Sequence, residues 1–145
     1  MTDPLFPARA GGPPLCPWRG SAGALVEAAA GQPSTWWLRG SHMRTRQGLM
    51  DEWAAAAQFP PHFGGTWDAL RDVLSDLPEG GTFLLLDADQ LLQDAPPGEG
   101  ATWAAVMQAV AGDLAPQPFR LILQANPEGY ETLVEGLRSL GAPGV

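Results

Sequence analysis

Three aspartates, Asp68, Asp72 and Asp76, stand four residues apart, directly behind a loop rich in proline and glycine. On a helix this spacing places their carboxylates on one face, about one turn apart. Like charges at this spacing repel one another and destabilise an isolated helix, so the pattern suggests a role outside folding. Carboxylates so arranged can bind a divalent cation or the cationic side chains of another protein.

A metal-assisted hydrolase is one interpretation of these acids. Asp68 and Asp72 could hold Mg²⁺, and His62 is near enough in the sequence to act as a base. The sequence offers no third ligand, no glycine-rich phosphate loop and no serine in a GxSxG pattern. We therefore expect no metal, no cofactor and no enzymatic activity.

Two interpretations need no metal. The acids can be an ordinary solvated helix face, because charge runs on helices usually face water. They can also form a protein-recognition site, because a helix behind a stiff loop presents its side chains with little ordering cost on binding. In that case the carboxylates would stand in for phosphate groups, and arginines of a basic partner could bind them bidentately.

The distribution of charge favours a basic partner. Nine acidic residues and a single base, Arg71, lie between Asp51 and Asp94, whereas the rest of the chain holds seven acids and seven arginines. That segment therefore carries the whole formal net charge of -8. An acidic surface disfavours nucleic acid and anionic membrane, so we expect neither as a partner.

The elements that position the acids follow from the pattern of apolar residues. Thr66 is a good N-cap for a helix whose apolar stripe includes Trp67, Leu70 and Leu74. Short apolar runs at residues 36–39, 82–86 and 119–123 read as strands, and helical segments separate them. This alternation predicts the α/β class, with a small parallel sheet of about three strands packed with helices.

The chain has the length of one domain. Residues 1–17 are rich in proline and glycine and are expected to form a flexible N-terminal segment, followed by a single domain over 18–145 with a final helix at 128–140. The lone Cys16 excludes an intramolecular disulfide, and the N-terminus lacks the apolar stretch of a signal peptide. We expect a cytoplasmic monomer.

The stretch FPPHFGGTWDALRDVLSDL, from Phe59 to Leu77, resembles the signature of the barstar family, small intracellular inhibitors of barnase-type ribonucleases. The resemblance extends over roughly residues 36–123 and includes the order of strands and helices. The residues that match the family pattern are Phe59, Pro60, Phe63, Gly64, Trp67, Asp68, Ala69, Leu70 and Asp72.

The resemblance implies that the loop and the acidic helix cover the active site of a basic ribonuclease. Asp72 would occupy the phosphate-binding centre, Asp68 would engage neighbouring basic residues, and His62 would stack on the enzyme where the family usually has a larger aromatic residue. The residues expected to contact the partner are Asp72, Asp68, His62, Gly64, Gly65, Thr66, Arg71 and Asp76.

Some residues depart from the family pattern. Thr66 replaces a common asparagine, and Arg71 stands where the family can have an aromatic residue. Arg71 would either screen the two key acids or select a partner with an acid of its own. Residues 101–112 hold no match for the family's additional acid on the later helix. A barstar-like adaptor for a partner other than a ribonuclease is therefore the alternative to an inhibitor.

Overall fold

Within the residues that the structure describes, 13–32 and 35–142 of a computed structural model, four strands form one parallel sheet. The spatial order is β1-β4-β3-β2, so β3 and β4 are central and β1 and β2 are edges. Because both faces of the central strands are covered, they are almost continuously apolar. The strands are β1 (Leu15–Arg19), β2 (Thr35–Arg39), β3 (Gly81–Leu86) and β4 (Phe119–Ala125).

Helices connect the strands and cover the sheet. Two of them begin at a threonine whose side chain caps the first turn, Thr45 for α2 and Thr66 for α3, and the cap at Thr66 is the one predicted above. The last helix ends before Gly141, which has a positive φ of 75°. The helices are α1 (Ala22–Ala29), α2 (Arg46–Ala56), α3 (Trp67–Ser75), α4 (Glu99–Leu114) and α5 (Pro127–Ser139).

The larger core contains residues of α2, α4 and α5 packed on the sheet, with α3 packed on α4, and Phe83 of β3 belongs to it. The Phe83 ring stacks on Trp36 of β2 with centroids 5.0 Å apart, and it also contacts Trp53 at 5.4 Å and Phe119 at 5.8 Å. Aromatic residues from two neighbouring strands and α2 thus meet around one ring. Leu70 and Leu74 bring α3 into this same core.

The opposite face of the sheet carries a smaller core under α1. Leu25 and Ala29 of this helix pack with Leu84 of β3 and Ile122 of β4. Trp37 lies on the edge strand β2 and remains 39% exposed. The acidic helix and the smaller core therefore lie on opposite faces of the sheet.

The predicted α/β class and parallel sheet are confirmed, but the sheet has a fourth strand that the sequence analysis did not predict. Residues 15–17, expected to be flexible, form part of β1 and pair with β4, with Leu15 opposite Leu121. Pro17 makes the sequence of β1 unlike that of a typical strand, because proline has no N–H to donate to a neighbouring strand. An edge strand such as β1 tolerates proline. Burial in β1 raises the pKa of the Cys16 thiol. Residues 1–12 lie outside the described residues.

Candidate functional site

The loop in front of α3 is anchored by two phenylalanines. Phe59 and Phe63 meet edge to face with ring centroids 4.9 Å apart, and both pack against the larger core. The backbone N–H of Phe63 donates to the carbonyl of Pro60 at 3.0 Å, closing a turn that exposes His62 to solvent. The apolar members of the loop therefore fix its path, while its polar member faces outward.

The N-terminus of α3 is set by the two residues that precede the helix. Gly65 has a φ of 68°, a conformation that residues with a Cβ adopt rarely. The Thr66 hydroxyl then accepts a hydrogen bond from the backbone N–H of Ala69 at 3.1 Å. Asp68 lies in the first turn, where the positive end of the helix dipole stabilises its charge.

The three aspartates lie on the outer face of α3. Leu70 and Leu74 are fully buried on its inner face, whereas Asp68, Asp72 and Asp76 are exposed. In the part of the chain that the structure describes, none of the three carboxylates forms a hydrogen bond or an ion pair with another side chain. Their charges are therefore available to a molecule outside the fold.

A surface groove of about 360 Å³ runs between the loop and α3. Asp72 and Asp76 line it from the helix, and His62 and Gly64 line it from the loop. Four of the predicted contact residues thus surround one concavity, whereas Asp68, Gly65, Thr66 and Arg71 lie outside its lining. The complete lining is Pro60, His62, Phe63, Gly64, Ala69, Asp72, Val73 and Asp76.

Arg71 is held by an acid on α4. Its Nε donates to Oδ2 of Asp113 at 2.8 Å and its Nη2 donates to Oδ1 at 3.0 Å, while the hydroxyl of Ser75 donates to Oδ2 at 2.9 Å. The hydrogen bonds from Arg71, and then the one from Ser75, hold the pKa of the Asp113 carboxyl below its ordinary value. Asp113 in turn raises the pKa of Arg71.

Asp113 is a residue of this region that the sequence analysis missed. It is 42 positions from Arg71, and no local pattern connects the two. Residues 101–112 hold no acid, but α4 extends beyond them at both ends, from Glu99 to Leu114, and carries an acid near each end. Glu99 is the other such acid, and its Oε2 accepts a hydrogen bond from Nε1 of Trp67 at 2.8 Å.

The arrangement of acids does not resemble a metal centre. Over residues 13–32 and 35–142, no group of three or more His, Cys, Asp or Glu side chains is arranged to hold a metal ion.

In the same residues, no helix is both long enough and apolar enough to cross a membrane.

The fold places the chain among small α/β proteins with a parallel sheet. A protein-family model described as "Barstar (barnase inhibitor)" matches residues 34–126, which is more than half of the chain. The chain therefore belongs to the barstar family, and the resemblance seen in the sequence is confirmed. The description of this family is that of an inhibitor and not of an enzyme. No curated protein matches the chain.

Proposed function

We propose that this protein is a cytoplasmic inhibitor of a basic ribonuclease of the barnase type and acts as an antitoxin. The observation that carries the proposal is the row of exposed, unpaired carboxylates of Asp68, Asp72 and Asp76 beside a preformed groove. Within the fold only Asp68 gains from its charge, through the helix dipole, and the three like charges repel one another, whereas a cationic active site would bind them.

Asp72 has the central role in this proposal. It lies in the middle of the acidic row and lines the groove, so a cationic side chain of the partner can approach it from the helix and from the loop. Its carboxylate takes the place of an RNA phosphate, and arginine of the enzyme binds it through two parallel hydrogen bonds. Asp68 engages further cations toward the N-terminus of α3, and the exposed ring of His62 stacks on the enzyme surface.

The packing of the loop supports tight binding. Phe59 and Phe63 hold the loop against the core, and Thr66 caps the helix that follows. Because these contacts exist before the partner arrives, little conformational entropy is lost on association. The charged side chains are the main groups that remain to be ordered.

An inhibition titration tests the proposal. A barnase-type ribonuclease cleaving RNA is titrated with the wild type, with Asp72→Ala and with Asp94→Ala, which removes an acid that pairs with Arg44 away from the groove. We expect stoichiometric inhibition by the wild type and by Asp94→Ala, and a loss of about 100-fold or more in Asp72→Ala, as for a hot-spot residue. This family's own inhibitor–ribonuclease pair is the standard example of such hot spots.

The same titration separates the alternatives. Equal inhibition by the wild type and by Asp72→Ala would contradict the assignment of the site. An absence of inhibition with every basic ribonuclease tested, including any from the same organism, would contradict the proposed function. The latter result would favour a barstar-like adaptor with a different protein partner.

A further inference from the structure

Arg71 is the single base among the acids of α3, and its position in the sequence puts it beside both principal carboxylates. Asp72 is its neighbour in the chain, and Asp68 is one helical turn earlier, at the i−3 position. Side chains three residues apart on a helix are close enough to form an ion pair. An unrestrained Arg71 would therefore have Asp68 as its nearest partner on the same helix.

The structure shows a different partner. Two nitrogens of the Arg71 guanidinium bind the two carboxylate oxygens of Asp113 on α4, at 2.8 and 3.0 Å. Ser75, one turn after Arg71, donates a further hydrogen bond to the same carboxylate. Such a bidentate pair fixes the plane of the guanidinium as well as its distance, so the cation is turned toward α4.

We propose that Asp113 is a positioning residue of the binding site: by holding Arg71 against α4, it keeps the carboxylates of Asp68 and Asp72 free for a basic partner. The inference rests on the proposed function. Asp113 lies outside the acidic row, and its pairing with Arg71 explains how a base can lie among acids that bind cations. On this account Arg71 is the ion-pair partner of Asp113, and it acts on Asp68 and Asp72 only as a nearby charge.

Four variants test this role: Asp113→Ala, Arg71→Gln, the double variant R71Q/D113A, and Asp94→Ala as a matched control. Asp94 also binds an arginine through both oxygens, since Arg44 donates to it from Nε at 2.8 Å and from Nη2 at 3.2 Å. The control therefore removes the same charge and the same kind of ion pair, but its two residues lie outside α3 and α4.

The first readout requires no partner. The nuclear Overhauser contact between the δ protons of Arg71, next to its guanidinium, and the β protons of Asp68 is measured in the wild type and in Asp113→Ala. We expect it to be absent from the wild type and present in the variant, because the released guanidinium turns to Asp68. An Arg71 side chain that stays away from Asp68 in Asp113→Ala would overturn the proposal.

The second readout is the inhibition constant against a barnase-type ribonuclease. Asp113→Ala is expected to weaken inhibition by about fivefold, the range of an exposed ion pair, whereas Asp94→Ala leaves it within about twofold. R71Q/D113A should recover the affinity, because the released cation is gone. If the double variant is as weak as Asp113→Ala, the ion pair only joins the two helices and the positioning role is wrong.

The two readouts separate this inference from the function on which it rests. If the wild type inhibits no ribonuclease, the proposed function fails. The nuclear Overhauser measurement can still show whether Asp113 keeps the Arg71 guanidinium away from Asp68, because it requires no partner. If the wild type inhibits a ribonuclease but R71Q/D113A inhibits as weakly as Asp113→Ala, the proposed function stands and the positioning role of Asp113 is wrong.

Discussion

Trp67, the first residue of α3, donates a hydrogen bond from its indole Nε1 to the carboxylate of Glu99, the first residue of α4, at 2.8 Å. The opposite end of α4 is bound to α3 as well, through Asp113 and Arg71. The acidic helix is thus joined to both ends of a helix almost twice its length. Since α4 contributes Trp103 and Met107 to the larger core, α3 has a rigid support.

This support matters because α3 itself is short. Its nine residues would not form a stable helix in isolation, and its acidic row repels itself. Burial of Leu70 and Leu74, together with the polar contacts to α4, holds the backbone of α3 in one place and so fixes the positions from which the carboxylates project. The arrangement that a partner would bind is therefore present in the free protein.

The N-cap of α3 can be removed with a matched control. Thr66→Ala and Thr45→Ala each delete a hydroxyl that caps a helix, with Oγ1 accepting at 3.1 Å and 3.0 Å respectively. Each variant should lose about 1 kcal/mol of unfolding free energy, measured by urea denaturation. Only Thr66→Ala should also weaken binding of a ribonuclease, because α2 does not present the acids. Equal binding by both variants would show that the start of α3 is not part of the interface.

The Arg71–Asp113 ion pair predicts an acid-dependent difference in stability. Because the folded state lowers the pKa of Asp113, its contribution is complete above the unfolded-state value of about 3.9 and is lost as the pH falls through the lower folded value. At pH 7 the variant Asp113→Ala should melt below the wild type, and the gap should narrow as the pH falls below about 3.9. A gap that stays constant over this range would contradict the role of the ionised pair.

The acidic row predicts a strong effect of salt on association. Opposite charges steer a basic ribonuclease toward α3, and this family's own inhibitor–ribonuclease pair is the standard example of such steering. Stopped-flow measurements should show an association rate constant that falls about tenfold or more as salt is raised from low concentration to about 0.5 M, with a smaller change in dissociation. A rate constant independent of salt would mean that the acids do not guide the encounter.

Asp72 is expected to be dispensable for folding. It is exposed and unpaired among the described side chains, so Asp72→Ala should leave the unfolding free energy within about 0.5 kcal/mol of the wild type, or raise it slightly by relieving repulsion. Leu70→Ala, on the buried side of the same helix, should cost about 2–5 kcal/mol. If Asp72→Ala unfolds the protein, Asp72 is structural and its assignment to the binding site is wrong.

The local features of the fold could be predicted from the sequence because each has a local cause. Thr45 and Thr66 carry cap hydroxyls, prolines follow α2, and the short runs at residues 82–86 and 119–123, rich in apolar residues, are typical of buried strands. The row of aspartates was visible for the same reason, since a four-residue spacing within one helix needs no tertiary information.

The features that were missed depend on contacts between distant residues. Gln124, in β4, is fully buried; its Oε1 accepts from the backbone N–H of Asp87 and its Nε2 donates to the carbonyl of Gly20, at 2.8 and 2.7 Å. Nothing in the sequence pairs these residues, nor Arg71 with Asp113. The strand β1 was missed because its five residues include a proline and pair only with a strand a hundred residues later.

The claim that Asp72 takes the place of an RNA phosphate is tested most directly by the mode of inhibition. The apparent inhibition constant of the wild type against a barnase-type ribonuclease is measured over a range of RNA concentrations, with Asp72→Ala in parallel. We expect the constant to rise linearly with RNA concentration, because inhibitor and substrate compete for one site, and we expect inhibition to be largely lost in the variant. Inhibition that does not depend on RNA concentration, or that survives in Asp72→Ala, would contradict it.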